Sequence, residues 1–189
     1  MKARIAIFAS GSGTNAEEIF KYFQHHPTIK VVTLLSNNAE AFALERAKKY
    51  GTPTFVFDRK QFRETQQVLE WLHKNEVTHI VLAGFMWLVP DYLIKTFANR
   101  IINIHPALLP KFGGKGMYGM HVHAAVKAAV EKETGITIHE VNEHYDEGQI
   151  IFQAKCEVSP SDSIDEIAEK VHALEHAHYP KIIEMWIKK

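Results

Sequence analysis

The chain has 189 residues, 46% of them hydrophobic, and its 22 basic and 22 acidic side chains cancel to a net charge of zero. That length suits a single globular domain, residues 1–189, able to bury about 70% of the surface its unfolded chain exposes. Zero net charge excludes a dedicated nucleic-acid surface, which needs a basic excess. No apolar run reaches the about 18 residues of a membrane span, and the single Cys156 rules out an internal disulfide, so a reducing, cytoplasmic setting is expected.

Over the first hundred residues, short β-branched runs alternate with longer helical patterns, the signature of a parallel α/β sheet. Residues 4–9 read as strand one; the charge on Lys2 and Arg4 precedes an apolar run too short for a signal peptide. The chain then enters Gly11-Ser12-Gly13-Thr14-Asn15-Ala16 and a helix over 15–24. This is the pattern of a dinucleotide turn and also of a simpler phosphate cradle, in which N–H groups at a helix start hold an anion. Strand two, 30–35, ends in Ser36-Asn37-Asn38 and lacks the acidic residue that grips a dinucleotide ribose, so a phosphate on a smaller ligand is preferred. No Gly-Lys-Ser/Thr follows, which disfavours a nucleoside-triphosphate loop. A helix over 42–50 closes at Gly51, strand three covers 54–57, one helix spans 61–74, strand four covers 79–83, and a helix starts at Pro90.

Strand five, 101–104, leads out through Asn103, His105, Pro106 and Pro110. Residues i and i+2 of a strand share a face, so an amide donor and an imidazole sit side by side, as stabilising an oxyanion at a carbonyl carbon requires. Loop capping is the bland alternative for such a pair. A glycine-rich loop over 106–120 follows, then a helix over 121–131 and strands over 136–141 and 149–158. The turn between those strands carries Asp146; an acidic turn residue is ordinarily solvated, but beside His105 it would raise the imidazole pKa and keep it protonated near neutral pH. The last helix runs from Ser163 to the end, with Ser163 and Glu166 spaced as a capping box and Pro180 expected to kink or divide it. Among 12 histidines, His172 and His176 are spaced i, i+4, and His121 and His123 are two apart, but no His-Glu-x-x-His occurs; they read as helix-surface histidines, and no metal is expected. Cys156 reads as an inert strand residue, and no serine has a nucleophile-elbow setting.

Seven segments, in order and over nearly the whole chain, resemble the folate-dependent formyltransferase family. They are Ala9-Ser10-Gly11-Ser12-Gly13-Thr14-Asn15, Leu34-Leu35-Ser36-Asn37, residues 81–86, residues 103–111, Gly135-Ile136-Thr137-Ile138-His139, residues 146–151 and Glu175-His176-Ala177-His178-Tyr179-Pro180. The resemblance is greatest to the branch whose acceptor is phosphoribosylglycinamide. It implies a Rossmann-like α/β fold, a mostly parallel sheet flanked by helices with a late antiparallel strand pair. It implies Asn103, His105 and Asp146 as the catalytic trio, Gly13, Thr14 and Asn15 around the substrate phosphate, and Glu175 on the ribose hydroxyls. The co-substrate 10-formyltetrahydrofolate would lie against Phe85, Met86, Trp87, Leu88, Val89, His139 and Val141. Two small-molecule substrates are the implied partners, with no nucleic acid, no membrane and a monomeric or homodimeric state. Transfer to a sugar amine and hydrolysis of formyltetrahydrofolate are the alternatives within the family. Trp87 stands where members often carry arginine, and the loop over 111–120 is longer than in short-loop members, which makes Lys115 and His121 secondary candidates.

Overall fold

A computed structural model of the chain describes residues 2–189. Seven strands form one sheet: β1 (Ala3–Phe8), β2 (Ile29–Ser36), β3 (Thr54–Val56), β4 (His79–Leu82), β5 (Ile101–His105), β6 (Glu133–Glu140) and β7 (Ile150–Glu157). Their spatial order is β3-β2-β1-β4-β5-β6-β7. The pairs from β3 through β5 are parallel, whereas β6 runs antiparallel to both β5 and β7. The helices are α1 (Thr14–Phe23), α2 (Phe42–Lys49), α3 (Arg59–Arg63), α4 (Gln67–Lys74), α5 (Asp91–Thr96), α6 (Met120–Ala128) and α7 (Ile164–Ile187).

Alternation along the central strands builds two cores, one on each face. Ile5, Ile7, Val81, Ile102 and Ile104 point into the core beneath α1, α2 and α7. Ala6, Phe8, Ile80, Leu82 and Ile101 point into the opposite core, filled by Phe62, Leu72, Leu93 and Phe97 from α3, α4 and α5. Asn103 and His105 share the parity of Ile101 and lie where the pairing of β5 with β4 ends while that with β6 continues.

Two elements depart from the sequence reading. The single helix expected over 61–74 is split into α3 and α4. Asp58 and Gln61 form a reciprocal capping box that starts α3 early. The Thr65 hydroxyl then donates to the Gln61 carbonyl at 3.1 Å and accepts from the Gln67 N–H at 3.3 Å, closing one helix and opening the next. The second departure is α7, which continues through Pro180 as one helix of 24 residues. A buried ring at Pro180 is flanked by Tyr179, Ile182 and Ile183, all buried in the core, and that packing outweighs the roughly 3 kcal/mol helix penalty of proline. The Ser163–Glu166 capping box is present as expected.

Candidate active site

A cleft of about 500 Å³ opens at the C-terminal ends of β1, β4 and β5, the crevice in which open α/β sheets place ligands. Every residue singled out from the sequence for a site, the secondary candidate His121 excepted, lines it, and the positions fall into three groups: a centre, an anion end and an apolar end.

At the centre, antiparallel pairing sets Asn103 opposite His139. The His139 Nδ1–H donates to the Glu140 carbonyl at 2.8 Å, leaving Nε2 to accept from the Asn103 amide at 3.2 Å. The His105 Nε2 lies 2.7 Å from the Phe112 carbonyl; a carbonyl can only accept, so this nitrogen carries the proton. Its Nδ1 faces the Asp146 Oδ2 at 3.5 Å. The other Asp146 oxygen is 3.6 Å from the His139 Nε2, and the Gly114 N–H donates to Oδ2 at 2.9 Å. Asp146 reaches this position in the left-handed conformation, φ 57°, which aspartate tolerates better than most side chains. Two residues on, Gly148 passes so close to β6 that a Cβ there would stand 1.6 Å from the Glu140 carbonyl oxygen. Glycine at that position is what lets the turn fold back over β5.

Burial pulls the His105 pKa below 6.5; the Asp146 charge and the Phe112 carbonyl pull it up, and burial wins. This corrects the expectation that Asp146 keeps His105 protonated: the pair exists, but only 3% of His105 is exposed and its desolvation is the larger effect. For Asp146, burial pushes the pKa up but is outweighed by the neighbouring His139 and His105 and by the Gly114 N–H, so the carboxyl sits below its usual value.

At the anion end, Gly13 takes a left-handed conformation, φ 71°, and precedes the first turn of α1. A Cβ on Gly13 would lie 2.6 Å from both the Cα and the Cβ of Ala43. The backbone N–H groups of Ser12, Gly13, Thr14 and Asn15 find no acceptor among the described residues. The Asn15 amide donates to the Glu175 Oε2 at 2.8 Å across the interface of α1 and α7. Burial pushes the Glu175 carboxyl up, against the opposing effects of Asn15 and His172. The Asn15 Oδ1 is buried without a partner, an acceptor open to a ligand hydroxyl or N–H.

At the apolar end, Phe85 stands edge-on to Phe8 and Phe62, with centroids 5.4 and 5.5 Å away. The Met86 N–H donates to the Ser10 hydroxyl at 3.0 Å, and that hydroxyl donates to Asn37 at 2.6 Å, tying the ends of β1, β2 and β4 together. Trp87 turns its ring toward α3, where the Arg59 guanidinium lies 5.5 Å above it. Leu88, buried Val89 and Val141 complete this wall.

Sequence reasoning undervalued three residues. His123 is 1% exposed, lines the cleft and has a buried Nδ1 without a partner; burial, with lesser effects from His172 and His105, takes its pKa down to about 4. The sequence reads it as a helix-surface histidine, whereas the packing of α6 against α7 buries it beside the cleft. His172, read as a helix-surface histidine, also lines the cleft, as does Tyr118. Lys115 lies in the lining, whereas His121 does not. Among the described residues no three His, Cys, Asp or Glu side chains are grouped so that they could hold a metal, and no helix is long and apolar enough to cross a membrane.

Comparison with known proteins gives consistent results. A family profile described as formyl transferase matches residues 3–183. The chain is 37% identical over 186 residues to a phosphoribosylglycinamide formyltransferase of Bacillus subtilis, covering 96% of this chain and 93% of that one. It is 36% identical over 188 residues to the chloroplastic phosphoribosylglycinamide formyltransferase of Arabidopsis thaliana, covering 96% of this chain. It spans 64% of that protein's length and 60% of that of the Vigna unguiculata counterpart. A solved phosphoribosylglycinamide formyltransferase structure from Bacillus halodurans superposes with a TM-score of 0.88 at 35% identity, over 98% of this chain and 96% of the other.

Proposed function

Because the chain belongs to the formyl transferase family, we propose that it transfers the formyl group of 10-formyltetrahydrofolate to the amine of phosphoribosylglycinamide, acting in the cytosol as a single domain. The observation that carries this reading is the set of groups that line one cleft: unpaired N–H groups at a helix start, an aromatic wall, and Asn103, His105 and Asp146. An anionic amine held on the N–H groups and a flat apolar formyl donor held on the wall would meet at β5.

In this reading the substrate phosphate sits on the N–H groups of Ser12, Gly13, Thr14 and Asn15, and Glu175 with Asn15 holds the ribose hydroxyls. The pterin lies against Phe85, Met86, Trp87, Leu88 and Val89, edged by His139 and Val141. The amine attacks the formyl carbon, and the carbonyl oxygen becomes an oxyanion. Asn103 donates its amide N–H to that oxygen. His105 begins neutral, as its burial dictates, and takes the proton leaving the amine. The imidazolium so formed faces Asp146, which stabilises the new charge. As the tetrahedral intermediate collapses, the bond from the formyl carbon to the folate nitrogen breaks, the imidazolium returns its proton to that nitrogen, and tetrahydrofolate leaves.

The test follows absorbance as the purified protein is mixed with 10-formyltetrahydrofolate, with and without phosphoribosylglycinamide. Folate release only in the presence of the amine is expected. Release without it would make the protein a hydrolase, and silence in both mixtures from folded protein would overturn the acceptor assignment.

A further inference from the structure

Arg46 lies on α2 outside the cleft, yet it touches the backbone that lines it. Its Nε–H donates to the Ser12 carbonyl at 2.8 Å. Its guanidinium also pairs with Glu17 in the first turn of α1 and lies 5.0 Å above the Phe42 ring. One residue earlier in the turn, the Gly11 carbonyl accepts from the Ala43 N–H of α2 at 3.1 Å. Two successive carbonyls of the glycine-rich turn are therefore tied to the same helix.

In a trans peptide the C=O and N–H point in opposite directions. Tying the Gly11 carbonyl to α2 turns the Ser12 N–H away from it, and tying the Ser12 carbonyl does the same for the Gly13 N–H. Both residues line the cleft, and neither N–H has an acceptor among the described residues. Arg46 does not supply attraction itself, since Glu17 neutralises its charge. We infer that Arg46 is a positioning residue that aims the Ser12 and Gly13 amides at the substrate phosphate. The inference rests on the proposed function for the identity of the anion.

A lysine cannot span Ser12 and Glu17 together, because it lacks the rigid fork of the guanidinium. Arg46→Lys and Arg46→Met are therefore compared with the parent in two measurements. In the first, ribose 5-phosphate is titrated calorimetrically; loss of one well-aimed charge-assisted hydrogen bond should weaken binding about tenfold. In the second, kinetics are run with phosphoribosylglycinamide and with its unphosphorylated riboside. KM for the phosphorylated amine should rise by a similar factor with kcat unchanged, and kcat/KM for the riboside should not move. Should Arg46→Met fail to fold, Arg46→Lys and Glu17→Gln carry the same comparison, the latter loosening the guanidinium without removing it. Equal losses on both amines, or unchanged ribose 5-phosphate binding, would overturn the inference in favour of a purely structural Arg46. Weakened phosphate binding in a protein with no formyl transfer would instead leave the inference standing and overturn the proposed reaction.

Discussion

Asn103 and His105 share a strand face, but under the proposed function they would do different work. Asn103 offers a donor that is present at every pH, so Asn103→Ala should lower kcat by ~10²–10³, the cost of one oxyanion donor. Its melting temperature should stay near that of the parent; near-normal turnover would remove Asn103 from the mechanism. His105 must start neutral to accept a proton. Burial already holds it below 6.5, so the acid limb of kcat/KM should lie below pH 6.5. Asp146→Asn removes the charge that pulls this pKa up, and should shift the limb further toward acid while lowering the rate. A fall in kcat/KM as pH rises through 6.5, with no acid limb, would mean the protonated form is the working one. Asn103 and His105 were legible as a pair because i, i+2 spacing fixes a shared strand face. The net protonation of His105 was not legible: Asp146 can be read from sequence, whereas burial depth is a property of the loop that closes over the ring.

α7 illustrates how packing decides an element. Tyr179 is fully buried, and its hydroxyl donates to the Leu82 carbonyl at 2.8 Å and the Ile102 carbonyl at 3.4 Å, at the end of β4 and near the start of β5. Tyr179→Phe removes that shared donor and should cost ~1–3 kcal/mol in urea unfolding. A loss under half a kcal/mol would mean the two carbonyls are satisfied without it. The strands were legible in chain order from β-branched runs, and the late antiparallel pair was implied by the family resemblance. The continuity of α7 was not, because Pro180 is a local signal while the burial of its flanks Tyr179, Ile182 and Ile183 is set by packing on β5, β6 and β7. The break between α3 and α4 was hidden for the opposite reason: one hydroxyl, that of Thr65, competes with the helix ladder, and no hydrophobic period records it.

Across the whole molecule, acid should unfold the protein in two stages, both set by depressed pKa values. Burial takes His123 down to about 4, so below about 6.5 the unfolded chain binds a proton that the folded one refuses. Stability is lost as pH falls from about 6.5 toward about 4. Glu184 is held at about 2 by hydrogen bonds from Lys188, Tyr22 and His26. Its contribution is complete above 4.5, the ordinary value, and disappears as pH falls from there toward 2. Urea midpoints measured from pH 8 to 3 should be flat above 7 and decline continuously below 6.5; a flat profile down to pH 5 would remove His123 from this account. The contact between Gly13 and Ala43 limits how the sequence can drift. A side chain at 13 would meet the Cα of residue 43 as well as its Cβ, so trimming Ala43 to glycine would leave the clash in place. Position 13 therefore has no second-site suppressor at its own contact. A lineage that loses this glycine can regain the turn only by reversion or by moving the α2 backbone.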